Sequence, residues 1–211
     1  MIRIRLTYKK GSSLRYTGHL DLHKVWERTF RRARLPLAYS QGFHPQPKIQ
    51  QACPLPLGFT SDCEIVDFWL TEDVPTNVIS TTLEPALHPG ITILDLKSIP
   101  LSYPPLQTTI RSARYEIHFL QSENPDSIID KINSVLSAEN LQRERRGKVY
   151  NLRPLIHSLA MNNETSSSMV MQLSAMPGAT GRPEEVLSEM GMDPVSVEVT
   201  RTALYFEIND D

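Results

Sequence analysis

The stretch I-R-I-R-L-T-Y, from Ile2 to Tyr8, places an apolar side chain at every second position with arginine or threonine between. A period of two is the signature of a β-strand with one face buried. Gly11 to Ser13 form a loop, and from Thr17 or Gly18 the spacing changes. Leu22, Val25, Trp26, Thr29, Phe30 and Ala33 recur at i, i+3, i+4, i+7, i+8 and i+11, which is one face of a helix. Asp21 suits the first turn of that helix, where the dipole favours an anion, and Pro36 ends it.

Working outward, strand-like pieces follow at Leu37–Tyr39 and Lys48–Cys53, on either side of a proline-rich loop. E-I-V-D-F-W-L, Glu64 to Leu70, reads as a strand, Thr76–Leu87 as a helix closed by His88-Pro89-Gly90, and Ile91–Leu96 as a strand. Strand, helix, strand, strand, helix, strand is the split βαβ, ferredoxin-like order. Ser98–Gln107 holds three prolines and reads as a linker. The same order then returns. Ala113–Leu120 is a strand, and Asp126–Ala138 a helix with Ile128, Ile129, Ile132 and Val135 on one side. Arg145–Leu152 and Met169–Ala175 are strands, Pro183–Met190 a short helix, and Val195–Ile208 a long final strand. The expected class is α+β: tandem ferredoxin-like units with antiparallel sheets, over residues 1–100 and 108–211.

Composition narrows the function. The 211 residues are 40% hydrophobic and 22% charged, ordinary for a globular protein. No apolar run approaches the roughly 18 residues that span a bilayer, and M-I-R-I-R-L-T-Y-K-K is no signal peptide. The two cysteines, Cys53 and Cys63, have no C-x-x-C spacing. Together these point to a reducing cytoplasm and away from membranes, iron–sulfur clusters and cysteine-rich zinc sites. Phosphate-loop, dinucleotide-binding and serine-hydrolase motifs are missing, so no cofactor and no metal is expected. Charge is unevenly spread. Residues 1–50 hold eleven Lys/Arg against two acids, a surplus of nine, while the whole chain is at -2, leaving -11 for the remainder. A basic segment backed by an acidic body suggests a polyanion partner, RNA above all.

Candidate residues follow from that charge. Arg28, Arg31, Arg32 and Arg34, with Lys24, occupy the polar side and C-terminal end of the basic helix. Arginine matches phosphate geometry in a bidentate way, and four in seven residues exceed what the helix dipole asks for. Next comes Y-S-Q-G-F-H-P-Q-P-K, Tyr39 to Lys48. Pro45 and Pro47 forbid a helix and Gly42 permits a left-handed turn. Tyr39, Phe43 and His44 are then available to stack on unpaired bases, with Lys48 beside them; alternatively Phe43 is buried and anchors a rigid turn. His19 and His23, at i and i+4, are compatible with metal binding or acid–base work, although Asp21 more simply caps or orients and there is no H-E-x-x-H. A second basic cluster, Arg143, Arg145, Arg146 and Lys148, lies in R-E-R-R-G-K, either as an RNA contact or as a solvated charge run. Ser166–Ser168 belongs to a polar loop.

Several of these runs carry a resemblance. G-H-L-D-L-x-K (Gly18–Lys24), R-R-A-R-L-P (Arg31–Pro36), the Tyr39–Lys48 loop and P-L-P-L-G (Pro54–Gly58) resemble the radical-SAM-associated, or radical-SAM-linked, domain of unknown function family. Weaker matches continue through L-R-P-L-I (Leu152–Ile156) and T-R-T-A-L (Thr200–Leu204). Gly18 departs from the family pattern, where serine is expected as the helix cap. That family occurs free-standing or fused behind a radical SAM enzyme, so the resemblance implies a radical SAM protein as partner. It does not make this chain the enzyme, whose cluster needs three cysteines. His19, Asp21, Gly42, Phe43, His44 and Pro45 match the motif without an assigned role. The expected function is RNA binding, to tRNA or ribosomal RNA, as an accessory to a radical SAM enzyme and without catalysis of its own. The alternatives are a metal-independent RNA endonuclease, with His19, His23 or His44 as acid or base, and a protein-interaction scaffold.

Overall fold

The computed structural model describes residues 1–162, 165 and 167–207. It is an α+β structure that divides into two compact units, Met1–Thr109 and Ile110–Asp211. In the first, β1 (Ile2–Lys10) leads into α1 (His19–Arg32), β2 (Ile49–Gln51), β3 (Thr60–Leu70), α2 (Thr76–Leu83), β4 (Ile91–Ile99) and the short α3 (Leu106–Thr109). All pairings are antiparallel and the order across the sheet is β4-β1-β3-β2, the ferredoxin-like arrangement. The alternation of β1 sets its two faces. Ile4, Leu6 and Tyr8 join Leu22, Trp26 and Phe30 of α1 and Ile79 and Leu83 of α2 in one core. Its centre is aromatic: Trp26 lies edge-on to Tyr8 (4.7 Å) and stacked on Phe30 (5.2 Å), which meets Phe68 at 4.3 Å.

The opposite face of that sheet buries a cluster of charges. Asp67 has no exposed surface; Arg3 Nε and Nη2 donate to it at 3.0 and 2.6 Å, and Arg5 Nε and Nη2 at 2.9 and 3.0 Å. Arg3 also donates to the carbonyls of Tyr103 (2.7 Å) and Pro104 (3.1 Å). Gln50 Oε1 accepts from the Leu106 N–H at 3.0 Å, and Leu106 is fully buried. Residues 98–107, expected as a linker, are therefore part of the first unit: their carbonyls are needed by Arg3. The expected strand at Leu37–Tyr39 is reduced to two isolated bridges, Leu37 to Leu70 and Tyr39 to Pro47, because Pro36 and Pro47 remove ladder donors.

The second unit repeats the order with an insertion. β5 (Ile110–Phe119) and α4 (Pro125–Ser137) are followed by a hairpin, β6 (Gln142–Arg145) and β7 (Lys148–Asn151). After it come β8 (Ile156–Met161), β9 (Ser168–Met176), β10 (Ala179–Thr180), α5 (Pro183–Glu189) and β11 (Val197–Phe206). The sheet runs β11-β5-β9-β8, with β10 continuing the outer edge of β9. The expected strand over Arg145–Leu152 is thus half of a hairpin, turned by Arg146 (φ 53) and Gly147 (φ 75). The sheet's second strand is β8, where no strand was read. On α4, Ile128, Ile132 and Val135 are buried, but Ile129 is 42% exposed and off the core face. Ser168, read as polar loop, is the buried first residue of β9 and donates to Glu116 Oε1. Ser166 and the expected strand end at Ile208 lie outside the described residues.

Candidate functional site

The Tyr39–Lys48 loop is held by its backbone. The Ser40 N–H donates to the Gln46 carbonyl (2.8 Å) and the Gln46 N–H to Ser40 Oγ (3.0 Å), closing a seven-residue turn. Below it, Lys48 N–H donates to Ala38 O (2.8 Å) and Trp69 N–H to Lys48 O (3.2 Å), tying both legs to the end of β3. Gly42 has φ 128, a conformation that a side chain resists. At the tip, Phe43 is fully exposed (101%) and His44 exposed. Phe43 is therefore no core anchor. Tyr39 is 40% exposed. Beside the loop lies a cleft of about 360 Å³, lined by Ser40, Gln46, Pro47, Lys48, Gln50 and Trp69 among others. Sequence reading missed Trp69 and Gln50 because they sit in strands and become neighbours only through the β2–β3 pairing; Gln46 lies in the loop itself but carries no signal that sets it apart.

The arginine-rich end of α1 is close by in the fold. Thr71 N–H, just past β3, donates to Pro36 O at 2.8 Å, so α1 ends at the same end of the sheet as the loop's base. The arginines differ. Arg31 pairs with Glu27 (2.8 Å) and Arg32 donates to Ala86 O (3.3 Å), while Lys24 lies 3.7 Å from Asp21. Arg28 and Arg34 are exposed, and their guanidinium groups have no partner among the described residues. Arg34 is also strained. It has φ 53, in the left-handed position after the helix, where Arg34 N–H bonds to Arg31 O and Leu35 N–H to Phe30 O. That is a Schellman stop, usually occupied by glycine.

The opposite end of the sheet gathers the other motif residues. Gly58 N–H donates to Arg15 O (2.9 Å) and Arg15 Nε to Gly58 O (2.6 Å), and buried Lys10 Nζ donates to Phe59 O (3.1 Å). Gly18 caps α1 with no side-chain bond, and Leu57 packs close to it. Around this helix start Tyr16, Leu20 and Leu57 are 79%, 76% and 62% exposed. His19 and His23 are half-buried in the first half of α1, and Asp21 is exposed beside Lys24. A 14-residue helix is about 21 Å long. His44 thus stands past the opposite end of α1 from the first turns that carry His19 and His23. Among the described residues no group of three or more His, Cys, Asp or Glu is placed to hold a metal ion.

In the second unit the basic cluster is largely engaged by α5. Arg145 Nη2 donates to Glu185 Oε1 (2.7 Å), Glu185 Oε2 (2.8 Å) and the Tyr150 hydroxyl (2.8 Å). Burial works against the Arg145 charge, but Glu185 outweighs it and raises the pKa; burial and then Glu185 push Tyr150 up. Arg143 Nε lies 2.8 Å from Glu189 Oε1, and its Nη2 donates to Glu185 O at 3.1 Å. Neighbouring Glu184 has a buried Oε2 with no hydrogen-bond partner among the described residues, and burial pushes its pKa up. Only Arg146 and Lys148, at the hairpin turn, remain exposed.

Fold and surface together define an α+β protein of two ferredoxin-like units with an exposed aromatic loop beside unpaired arginines. The chain belongs to the family described as uncharacterized protein conserved in bacteria (DUF2344), whose model matches residues 3–183. No match was found among curated proteins. Of solved structures, one of an H/ACA RNP bound to a substrate RNA containing 2'-deoxyuridine aligns at 9% identity and TM-score 0.46, over 96% of this chain and 47% of its own. A Cbf5-Nop10-Gar1 complex aligns at 8% identity and TM-score 0.45, over 96% and 48%. The chain thus spans about half the length of those it matches. No helix among the described residues is long and apolar enough to cross a membrane.

Proposed function

We propose that this protein is a cytoplasmic RNA-binding accessory to a radical SAM enzyme. It takes unpaired stretches of tRNA or ribosomal RNA at the end of the first unit that carries the loop and the C-terminus of α1. The observation behind this reading is Phe43, a fully exposed ring on a turn closed by two hydrogen bonds. Such a ring contributes nothing to the core, so its use lies in what it touches from outside. Bases stack on aromatic rings with about 1–3 kcal/mol each, whatever their sequence. Arg28, Arg34 and Lys48 stand on the same end of the unit and supply phosphate contacts. The radical SAM partner rests on the resemblance of residues 18–58. The exposed Tyr16, Leu20 and Leu57 give such a partner an apolar surface away from the loop.

Fluorescence anisotropy with single-stranded and duplex RNA at several salt concentrations tests the RNA half. Arg28→Ala should weaken all RNAs and flatten the log–log salt slope by about 0.7 on a single strand. Phe43→Ala should leave the slope alone and cost about 1–3 kcal/mol on unpaired targets only. If neither variant changes affinity for any RNA, the surface serves something else. Co-purification of the tagged protein with a radical SAM enzyme, lost in a Leu20→Asp, Leu57→Asp variant, tests the other half.

A further inference from the structure

We infer that the cleft beneath the loop receives one unpaired nucleotide, its base against the Trp69 indole and its phosphate on Lys48, with a preference for keto-bearing bases. This rests on the RNA reading and sharpens it, because stacking on Phe43 needs no pocket and selects no base.

The groups lining the cleft are fixed by bonds made elsewhere. Trp69 donates its backbone N–H to Lys48 O (3.2 Å), and its ring lies 5.0 Å from the Arg3 guanidinium, itself locked on Asp67. The ring is thus held before any ligand arrives. Gln50 Oε1 accepts the Leu106 N–H (3.0 Å), which settles the orientation of the amide and leaves the Nε2 hydrogens over. Ser40 Oγ accepts the Gln46 N–H (3.0 Å), so its own hydrogen is left to donate. Lys48 is pinned through its backbone, and its ammonium has no partner among the described residues. The inventory is therefore one cation, donors held in place on Ser40 and Gln50, a flat ring, and the Gln46 amide, which no bond among the described residues orients and which can turn either its carbonyl or its NH2 to a ligand. Among the described residues no carboxylate lines the cleft, whose volume is about 360 Å³. The fixed donors favour a ligand edge rich in acceptors, as on uracil or the O6/N7 edge of guanine, over an edge that presents an amino group, as on cytosine. The cation beside them favours a phosphate.

The two tryptophans of the chain make the test direct. Trp26 is fully buried in the core and serves as an internal standard, while Trp69 lines the cleft. Ten-residue oligouridylate and oligocytidylate are titrated into the full chain, following tryptophan emission and, with end-labelled RNA, anisotropy. Oligouridylate should quench emission with the same midpoint as the anisotropy change and bind more tightly than oligocytidylate. Trp69→Phe should abolish the quench, and Trp69→Ala should weaken oligouridylate about fivefold or more. Gln50→Ala should narrow the gap between the two RNAs. Binding by anisotropy with no quench, or equal affinity for the two RNAs, overturns the cleft while leaving RNA binding in place. No anisotropy change with either RNA overturns both. The quench is read in the unaltered protein, so a variant that misfolds, seen by circular dichroism, does not decide the matter.

Discussion

Arg34 offers a perturbation whose effects on stability and on binding have opposite signs. Its φ of 53 places a side chain where L-residues other than glycine lose about 1–2 kcal/mol, and Arg34→Gly removes that strain. Glycine gives back part of the gain through the entropy of the unfolded chain, about 0.5–1 kcal/mol. No packing or ion pair is lost, since Arg34 is exposed and unpartnered among the described residues. The net expectation is a gain of about 0.5–1 kcal/mol, read as a higher urea midpoint with an unchanged slope. On the proposed RNA-binding reading, the same change also removes one phosphate contact. The salt dependence of single-stranded RNA affinity should flatten by about 0.7. Arg34→Lys separates the two effects, keeping the strain and the charge. A loss of stability in Arg34→Gly would refute the strain argument. A gain of stability with RNA affinity and salt slope unchanged would refute the idea that strain is kept for the sake of a phosphate contact.

Two further outcomes follow from buried charge. Asp67→Ala leaves the guanidinium groups of Arg3 and Arg5 facing each other without a counter-ion, and should cost about 3–5 kcal/mol in urea unfolding; a cost under about 1 kcal/mol would mean that water reaches the pair. Glu184 has a raised pKa, so the folded state binds its proton more tightly than the unfolded chain does. Stability from this group is then present at acid pH and lost as pH rises above the ordinary carboxylate range. Glu184→Gln should therefore melt higher than the parent at neutral pH and converge with it in acid, and a constant gap across pH would count against the burial argument.

Much of the fold was legible because it rests on periodicity. Ile2–Tyr8 alternates and Leu22 to Ala33 recurs at helical spacing, and both patterns bury most of the residues they point to, with Ile2 and Val25 partly buried against the core. What failed had weaker local signals. β8 holds Ile156-His157-Ser158-Leu159-Ala160-Met161, whose apolar spacing follows neither period cleanly, so its place in the sheet is set by β9 alongside it. Residues 98–107 have a linker's composition, and only the buried Arg3 reveals that their carbonyls have work in the first unit. For the candidate site, the loop and its glycine were readable, since proline and glycine act through the local backbone. The exposure of Phe43 was not, because a lone phenylalanine between glycine and histidine looks the same whether it points in or out.

Charge shows the same division between what a count gives and what only a fold decides. The surplus of nine in residues 1–50 suggests a broad basic face. In the structure Arg3 and Arg5 are held by Asp67, Lys9 by Asp62 (3.1 Å), Lys24 by Asp21 and Arg31 by Glu27. Lys10, Arg15 and Arg32 bond to backbone carbonyls. That leaves Arg28, Arg34 and Lys48, and all three belong to the C-terminal half of α1 or to the segment leading from it to β2. Exposed ion pairs are worth little and open readily to a competing phosphate, so on the proposed reading Lys24 and Arg31 are reserves that a bound strand would recruit. Arg3 and Arg5 cannot be, because moving either would strand Asp67 in the interior. On the RNA reading proposed above, a small set of cations without partners among the described residues, next to one exposed ring, favours a short flexible polyanion over a long rigid duplex. Only a flexible strand can turn its bases toward Phe43 while its phosphates stay on α1.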